Sequence, residues 1–239
     1  MDPSITSPRL FVPVPLHAGA TVLASPAQAH HLGTVLRRGE GAMVRLFNGV
    51  DGEWAGRIAS VRRDRCVLEV GARLRGQAPE ADVWLAFAPL KREPTDLVAE
   101  KATELGAAAL LPVMTERTVA ARVNLERMAA IATAAAEQCE RLTVPRLAPP
   151  VSLPALLADW PAGRVLVAAL ERAEAPPVPG LAGRPAGLLG GPEGGFTDTE
   201  LDLLGRHPFV VAAGLGPRVL RAETAAIVGL ALLVASTGG

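Results

Sequence analysis

Cysteine is scarce in this sequence. The 239 residues include only Cys66 and Cys139, which are far apart and do not form a C-x-x-C pair. Two isolated cysteines predict neither a zinc site nor a disulfide framework. A reducing compartment is the simplest interpretation, so we expect a cytoplasmic protein with no bound metal.

Long apolar runs are also missing. The longest, Ala225–Ala235, is much shorter than the roughly 20 residues that a membrane-spanning helix needs. The first fifteen residues contain no basic segment followed by an apolar one, so we expect no signal peptide and no membrane association. Tyrosine is absent and aromatic residues make up 3% of the chain, which we attribute to GC-rich coding because Ala, Leu, Val, Gly and Arg dominate.

Net charge is zero, but the charge is unevenly distributed. Residues 1–76 contain ten arginines and six acidic residues, an excess of four positive charges. The remainder carries the balancing negative excess. The basic part is the better candidate for a polyanion such as a nucleic acid, and the acidic part for a small-molecule pocket. Alternatively, the uneven distribution of charge arose by chance, because the excess is only four charges.

The first 75 residues are typical of a small β-barrel. One short helix is predicted over Ala27–Leu36, with Pro26 at its start. Glycine turns at Asn48-Gly49 and Asp51-Gly52 separate short apolar or alternating runs. These predicted strands are Arg9–Val12, Met43–Asn48, Glu53–Ser60 and Arg65–Gly71. Residues 76–81 lack periodicity and are predicted to be a linker.

From residue 82 onward, apolar strands alternate with amphipathic helices. The predicted strands are Val83–Ala88, Ala108–Val113, Arg164–Leu170, Gly187–Leu189 and Phe209–Ala213. The predicted helices are Pro94–Leu105, Leu125–Leu142, Ser152–Trp160, a helix that begins with the capping box Thr197-x-x-Glu200 and stops at Gly205, and Glu223–Ser236. Strands that are apolar on both faces predict an α/β domain with a parallel sheet covered on both sides.

The first loop of interest runs from Leu189 to Phe196, between a buried strand and a capped helix. Loops of this kind lie at the carboxyl edge of a sheet, where α/β proteins bind ligands. Its four glycines allow close approach of the backbone to a ligand. It is neither a Walker A loop nor a G-x-G-x-x-G loop. We therefore predict a ligand-binding loop; a tight turn is the alternative.

The second loop runs from Gly214 to Thr224 and also connects a buried strand to a helix. Two glycines and Pro217 impose an irregular path, and Arg218 and Arg221 lie within it. Arginine at a loop edge can bind phosphate or carboxylate in a bidentate manner. Alternatively, these arginines are surface residues that pair with Glu223.

Together the two loops resemble the signature of the ribosomal RNA small subunit methyltransferase E family, which belongs to the SPOUT methyltransferases. Gly191–Gly195 reads GPEGG, and Gly216–Ala225 matches G-x-R-[IV]-L-R-x-E-T-A. The resemblance covers nearly the whole chain. It includes the opening strand Arg9–Val12, the helix from His30 through Arg37, Lys101–Gly106 (K-x-T-E-L-G) and Glu137–Arg141 (E-Q-[SC]-x-R). Within the last motif, Glu140 stands where the family usually has glycine.

The resemblance implies a specific architecture and activity. It implies an N-terminal PUA-like β-barrel over residues 1–75, followed over residues 82–239 by a SPOUT-type α/β domain with a deep trefoil knot, a rare feature of chain connectivity. S-adenosylmethionine would bind in a bent form among the knot loops. The protein would be a homodimer with its active site across the interface, and it would methylate N3 of a uridine in the 16S ribosomal RNA of the small subunit.

On this basis we assign candidate residues. Those predicted to bind the cofactor are Leu170, Leu189, Gly190, Gly191, Pro192, Gly195, Leu215, Gly216, Val219 and Leu220. Arg218 and Arg221 are candidates to stabilise an anionic uracil, and Glu223 or Glu193 to accept the N3 proton. Alternatively, the negative charge of each glutamate would stabilise the N-terminus of a helix. Arg9 is predicted to reach the partner subunit's active site or to hold RNA.

The predicted RNA surface lies in the basic part of the chain. Its candidates are Arg37, Arg38, Arg45, Arg57, Arg62, Arg63 and Arg65. A solvated charged face is the alternative. His30 and His31 have no metal-ligand partners in the sequence and are interpreted as structural or RNA-facing.

Three other functions are considered. One is a SPOUT enzyme that acts on another RNA position, such as a ribose 2′-OH of tRNA, and another is a non-catalytic RNA-binding protein. The third is a nucleotide-dependent oxidoreductase, which needs a glycine fingerprint after the first strand. Pro89-Leu90-Lys91-Arg92 follows Val83–Ala88 instead, so that fingerprint is absent.

Overall fold

The computed structural model describes residues 7–62, 64–120, 122–170 and 175–237, which form two compact units. The first contains the described residues up to Pro79 together with Ala136–Val144, and the second contains Glu80–Ala135 and the described residues from Pro145 onward. The division after Pro79 falls inside the segment that the sequence predicts to be a linker. The inclusion of Ala136–Val144 in the first unit was not predicted from the sequence.

The first unit is built on a curled five-stranded sheet in the order β1-β3-β4-β5-β2. Its strands are β1 (Arg9–Phe11), β2 (Thr21–Leu23), β3 (Met43–Phe47), β4 (Glu53–Val61) and β5 (Cys66–Arg75). β1 is parallel to β3 and the other pairs are antiparallel. The β4–β5 register shifts at three points, and such irregularities bend a sheet and increase its twist. The predicted barrel is thus a curled sheet with β1 and β2 at its edges.

A short helix closes the core of this unit. α1 (Pro26–His30) begins with a capping box between Ser25 and Gln28, and it continues as a π-helical turn over His31–Val35. Its buried residues are Ala29 and Leu32, which join the apolar cluster inside the sheet. The helix predicted over Ala27–Leu36 is confirmed, although its second half is wound more widely than an α-helix.

A buried ion-pair network holds residues 136–144 to the sheet. Arg9 on β1 pairs with Glu53 on β4, with 2.6 Å between Nε and Oε1, and both side chains are 2% exposed. The Arg9 guanidinium also donates to the carbonyl oxygens of Ala136, Glu137 and Arg141 at 2.7–3.0 Å. These bonds satisfy a buried charge and fix a helix end that lies over 120 residues away in sequence.

The helix before this segment, α3 (Leu125–Gln138), ends four residues before its predicted end at Leu142. Glu140 adopts a left-handed backbone conformation with φ of 64°, which ends the helix and favours glycine. A glycine is what the related motif usually has here. In this chain the Glu140 carboxylate accepts from Arg45 at 2.8 Å and its carbonyl accepts from Arg75 at 3.0 Å. These two bonds offset the strain of the non-glycine residue.

The second unit contains a parallel sheet in the order β12-β10-β11-β6-β7-β8, with β9 also paired to β7. Its strands are β6 (Val83–Phe87), β7 (Ala109–Met114), β8 (Arg146–Leu147), β9 (Val151–Ser152), β10 (Val165–Ala169), β11 (Ala186–Gly190) and β12 (Val210–Ala213). Its helices are α2 (Arg92–Glu104), α3, α4 (Leu153–Ala158), α5 (Asp198–Gly205) and α6 (Ala222–Thr237). The predicted α/β architecture is confirmed; β2, β8 and β9 were not predicted.

Apolar residues cover both faces of this sheet. Leu188 packs in the cluster that includes residues of α2 and α6, and its neighbour Leu189 packs in the cluster that includes residues of α4 and α5. Both are fully buried, because successive side chains of a strand point to opposite faces. This arrangement explains why the strands read as continuous apolar runs.

Helix α6 packs against β11 and α2 and is apolar nearly all round. Gly229 lies so close to Leu188 that an added Cβ would be 2.9 Å from its Cδ2. Neither α6 nor any other helix in the described ranges has the length and apolar character needed to cross a membrane. The deep trefoil knot stays a prediction of the resemblance.

The buried pair in the first unit predicts an unequal response to two similar substitutions. Glu53→Gln leaves three arginines around a neutral buried group, so we expect it to reduce the free energy of unfolding by about 3–5 kcal/mol. Glu69→Gln is the control, because its pair with Arg57 is half exposed and is worth at most about 1 kcal/mol. Urea denaturation measures both, and equal losses would contradict the role given to Glu53.

Candidate functional site

A large cavity lies at the carboxyl edge of the parallel sheet. The neighbouring strands β12, β10 and β11 end there at Ala213, Ala169 and Gly190, so the described residues that follow them lie at one edge. Between these loops is a cavity of about 930 Å³. Its lining includes Leu170 after β10, Gly191–Phe196 after β11, and most of the residues from Leu215 to Ala225 after β12. The two loops singled out in the sequence therefore line one cavity.

The first loop is a tight turn joined to a capped helix. The N–H of Gly195 donates to the carbonyl of Pro192 at 3.0 Å, and Gly195 has φ of 67°, a conformation that favours glycine. Thr197 then caps α5, and Glu200 accepts from the Thr197 N–H at 2.9 Å. The predicted capping box is confirmed, and it fixes where the loop ends.

Two contacts from the loop after β7 hold the first loop in place. Arg117 donates to the carbonyl oxygens of Gly194 at 2.8 Å and Phe196 at 3.4 Å. The buried Glu200 carboxylate accepts from the backbone N–H of Glu116 at 2.9 Å. Sequence reasoning missed both contacts, because residues about 80 positions apart carry no local signal of their proximity.

The second loop leaves β12 through Gly214, whose N–H donates to the Pro176 carbonyl at 2.9 Å. Gly216 has φ of 113°, which side chains rarely adopt, and it lines the cavity. Arg218 and Arg221 are exposed and also line it. In the described part of the chain neither arginine forms an ion pair with Glu223, so the alternative of a surface pair is not observed.

Most of the predicted cofactor residues line the cavity. Eight of the ten do so: Leu170, Gly191, Pro192, Gly195, Leu215, Gly216, Val219 and Leu220. Leu189 and Gly190 do not, because they belong to β11 itself. Leu189 is fully buried in the core on one face of the sheet, and an added Cβ on Gly190 would lie 3.6 Å from Ala226. Sequence reasoning missed Lys91, Pro94 and Phe196 as lining residues.

Arg9 requires a correction. The sequence assigned it to the partner's active site or to RNA, but its side chain is 2% exposed and fully occupied by Glu53 and three backbone carbonyls. Its guanidinium also lies 4.3 Å from the centre of the Phe47 ring. Arg9 is therefore a structural residue of the first unit, and it does not line the cavity.

The predicted RNA arginines divide into two groups. Arg45 is 9% exposed and pairs with Glu140, so it is not available to RNA, and Arg57 is exposed but pairs with Glu69. The remaining described ones, Arg37, Arg38, Arg62 and Arg65, are exposed, as are His30 and His31. Arg63 lies outside the described residues. An added Cβ on Gly33 would lie 3.1 Å from Val61, so the turn before Arg37 and the hairpin with Arg62 are close together.

The chemistry available in the cavity is that of charged side chains beside an apolar wall. Lys91, Arg218 and Arg221 supply positive charge, and Glu193 and Glu223 supply carboxylates. In the described ranges no cluster of three or more His, Cys, Asp or Glu residues is suited to hold a metal ion. Cys66 and Cys139 are free thiols, and burial raises the pKa of Cys66. Proton transfer and charge stabilisation are the reactions that this lining supports.

Two protein-family models match the chain. Residues 77–234 match the RNA methyltransferase domain, and residues 25–71 match the RNA methyltransferase PUA domain. The first match covers the parallel sheet and the cavity. The second falls on the curled sheet of the first unit, which is therefore PUA-like.

The chain is also similar to individual proteins of known class. It is 32% identical to ribosomal RNA small subunit methyltransferase E of Rickettsia conorii, over 87% of each chain. A putative methyltransferase of Legionella pneumophila, solved with bound SAM, is 30% identical with a TM-score of 0.86 over 97% of this chain and 98% of that one. A ribosomal RNA small subunit methyltransferase E of Neisseria gonorrhoeae bound to S-adenosylmethionine is 27% identical, with a TM-score of 0.87 and the same coverage.

The contacts of Arg117 predict a specific change in loop dynamics. Arg117→Met removes its hydrogen bonds to the first loop, so we expect amide hydrogens of residues 191–197 to exchange about threefold to tenfold faster. Hydrogen exchange followed by mass spectrometry measures this. Arg206→Met is the matched control, since Arg206 is exposed and does not line the cavity. Unchanged exchange in Arg117→Met would remove Arg117 from the support of the loop.

Proposed function

The chain belongs to the ribosomal RNA small subunit methyltransferase E family, and on that premise we propose that it transfers a methyl group from S-adenosylmethionine to N3 of a uridine in 16S ribosomal RNA. The observation that carries the proposal is the cavity between the two glycine loops at the carboxyl edge of the sheet. Ligands of α/β proteins bind at this edge.

The cavity fits S-adenosylmethionine in size and chemistry. Its volume of about 930 Å³ is within the range of small-molecule sites. Leu170, Leu215, Val219 and Leu220 offer an apolar surface for the adenine. Gly191 and Gly216 line the cavity without a side chain, so they allow the polar edge of the adenine to approach the backbone of both loops. When bound, S-adenosylmethionine supplies an electrophilic methyl group on its sulfonium sulfur.

The protein has two tasks in the reaction, which are to position the uracil and to accept its N3 proton. A carboxylate of the chain would accept the N3 proton, and N3 would then receive the methyl group that bound S-adenosylmethionine supplies. The products are N3-methyluridine and S-adenosylhomocysteine. In-line geometry makes positioning a large part of the catalysis.

Charged residues of the cavity suit the two remaining tasks. Arg218 and Arg221 carry the positive charge that would stabilise uracil as its N3 proton leaves. Glu193, in the first loop, and Glu223, in the first turn of α6, are the carboxylates that would accept the proton. The negative charge of Glu223 also stabilises the N-terminus of α6, so this residue has a structural role in addition.

The first unit supports RNA as the substrate. Arg37, Arg38, Arg62 and Arg65 are exposed and, within the described ranges, form no ion pairs, so they are available to phosphates. The PUA-like character of this unit agrees with RNA binding. The homodimer with a shared active site and the small ribosomal subunit as a partner stay predictions of the resemblance. The cytoplasmic location stays a prediction from the scarcity of cysteine.

Cofactor binding is the first prediction of this proposal. Wild-type protein should bind S-adenosylhomocysteine in calorimetry. Gly191→Val should weaken that binding by about a hundredfold or more, because an added Cβ there meets the Phe196 ring at 3.0 Å and both residues line the cavity. Gly205→Val is the control, since an added Cβ there has open space and the residue does not line the cavity. No heat with the wild-type protein would contradict the proposal.

Turnover and product identity give the second prediction. Arg221→Ala should keep its affinity for S-adenosylhomocysteine and lower kcat by about a hundredfold, because the cation acts on the base and not on the cofactor. Mass spectrometry of nucleosides should find N3-methyluridine in 16S RNA incubated with the wild-type protein. A ribose 2′-O-methyl product, or no product with bound cofactor, would favour the other RNA position or the non-catalytic alternative.

A further inference from the structure

A second cavity of about 570 Å³ lies beside the first, along the same edge of the sheet. It is lined by residues that follow β6 and β7, and β6 is the neighbour of β11 in the sheet order. Lys91 lines both cavities, so they are adjacent. The proposed methyl transfer uses only the first cavity and leaves the second unexplained.

The second cavity is strongly basic. Its charged lining residues are Lys91, Arg92, Arg122, Arg127 and Asp96. Asp96 is already paired with Arg127, at 2.7 Å between Oδ2 and Nη2. Lys91, Arg92 and Arg122 are exposed and form no ion pair with any described residue. Within the described ranges, three positively charged side chains of this lining therefore have no carboxylate partner.

Two helix N-termini open on the same cavity. α2 begins after Lys91, which makes no side-chain cap, and α3 begins after Asn124, whose side chain accepts from the Arg127 N–H at 3.0 Å. Both ends present the positive pole of a helix dipole, which favours anions. Lys91 and Arg92 therefore place positive charge at the N-terminus of α2, where the helix dipole makes cations unfavourable. Glu93 is in the same turn but does not line the cavity.

We propose that the second cavity binds a phosphate of the RNA strand, next to the nucleotide whose base enters the first cavity. The inference rests on the proposed function, because it takes the polyanion to be the RNA substrate. Unpaired cations at two helix N-termini are a local electrostatic conflict, and such conflicts are expected at functional sites. A phosphodiester resolves the conflict by accepting from Arg92 and Arg122 while Lys91 lies between the two cavities.

The test compares two pairs of arginine substitutions in the full-length protein. Arg92→Gln with Arg122→Gln removes two cavity charges. Arg184→Gln with Arg206→Gln removes two exposed charges that precede β11 and β12, at the opposite edge of the sheet. The probe is transcribed 16S ribosomal RNA, whose dissociation constant is measured at several salt concentrations. S-adenosylhomocysteine affinity is measured separately on each protein.

We expect the cavity variant to raise the dissociation constant for RNA about tenfold and to reduce the slope of log affinity against log salt by about 0.7 per charge removed. Its S-adenosylhomocysteine affinity should equal that of the wild type. The control pair should change the slope much less. Equal slopes for the two pairs, with the wild type active, overturn the inference and leave the proposed function intact.

Two further outcomes separate the inference from its premise. Absence of RNA methylation by the wild-type protein overturns the proposed function, and the inference with it. A cavity variant that changes its sedimentation while keeping the wild-type salt slope shows that this surface contacts a second copy of the chain, which also overturns the phosphate site.

Discussion

The parallel register of one sheet determines where the chemistry of this protein is located. Because β12, β10, β11, β6 and β7 are parallel neighbours, their carboxyl ends lie along one edge, and every loop that follows them faces that edge. The first cavity forms between the end of β10 and the loops after β11 and β12, and the second is lined by residues that follow β6 and β7. The proposed cofactor and RNA sites are consequences of this arrangement.

The first unit depends on a different constraint, which is a buried charge that must be neutralised. Glu53 is buried and accepts from both Arg9 and Arg75. The remaining donors of Arg9 reach backbone carbonyls of residues 136–141, so the charge network also orders that segment. This explains why the Arg9 side chain is buried, and why the strained Glu140 is tolerated in place of glycine.

Local sequence patterns predicted most helices and strands. Burial and contacts between residues far apart in sequence could not be predicted, because local patterns carry no information about them. Alternating strands and helices, together with the Thr197–Glu200 capping box, indicated the α/β architecture and placed both glycine loops at one edge. The sequence could not show that Arg9 is buried while Arg218 is exposed, since both are arginines in apolar surroundings. Nor could it show that Arg117 holds a loop 77 residues away, or that residues 136–144 join the first unit. These outcomes depend on tertiary packing, which overrides residue type.

The central claim is that two glycine loops and the end of β10 form the site for S-adenosylmethionine. A crystal structure of the protein grown with saturating S-adenosylmethionine tests it most directly. The account predicts a bent ligand between residues 191–196 and 215–221, with its adenine against Leu170, Leu215 and Leu220 and its polar edge on the loop backbone. Ligand bound elsewhere in the chain, or a cavity that stays empty at saturation, would contradict it.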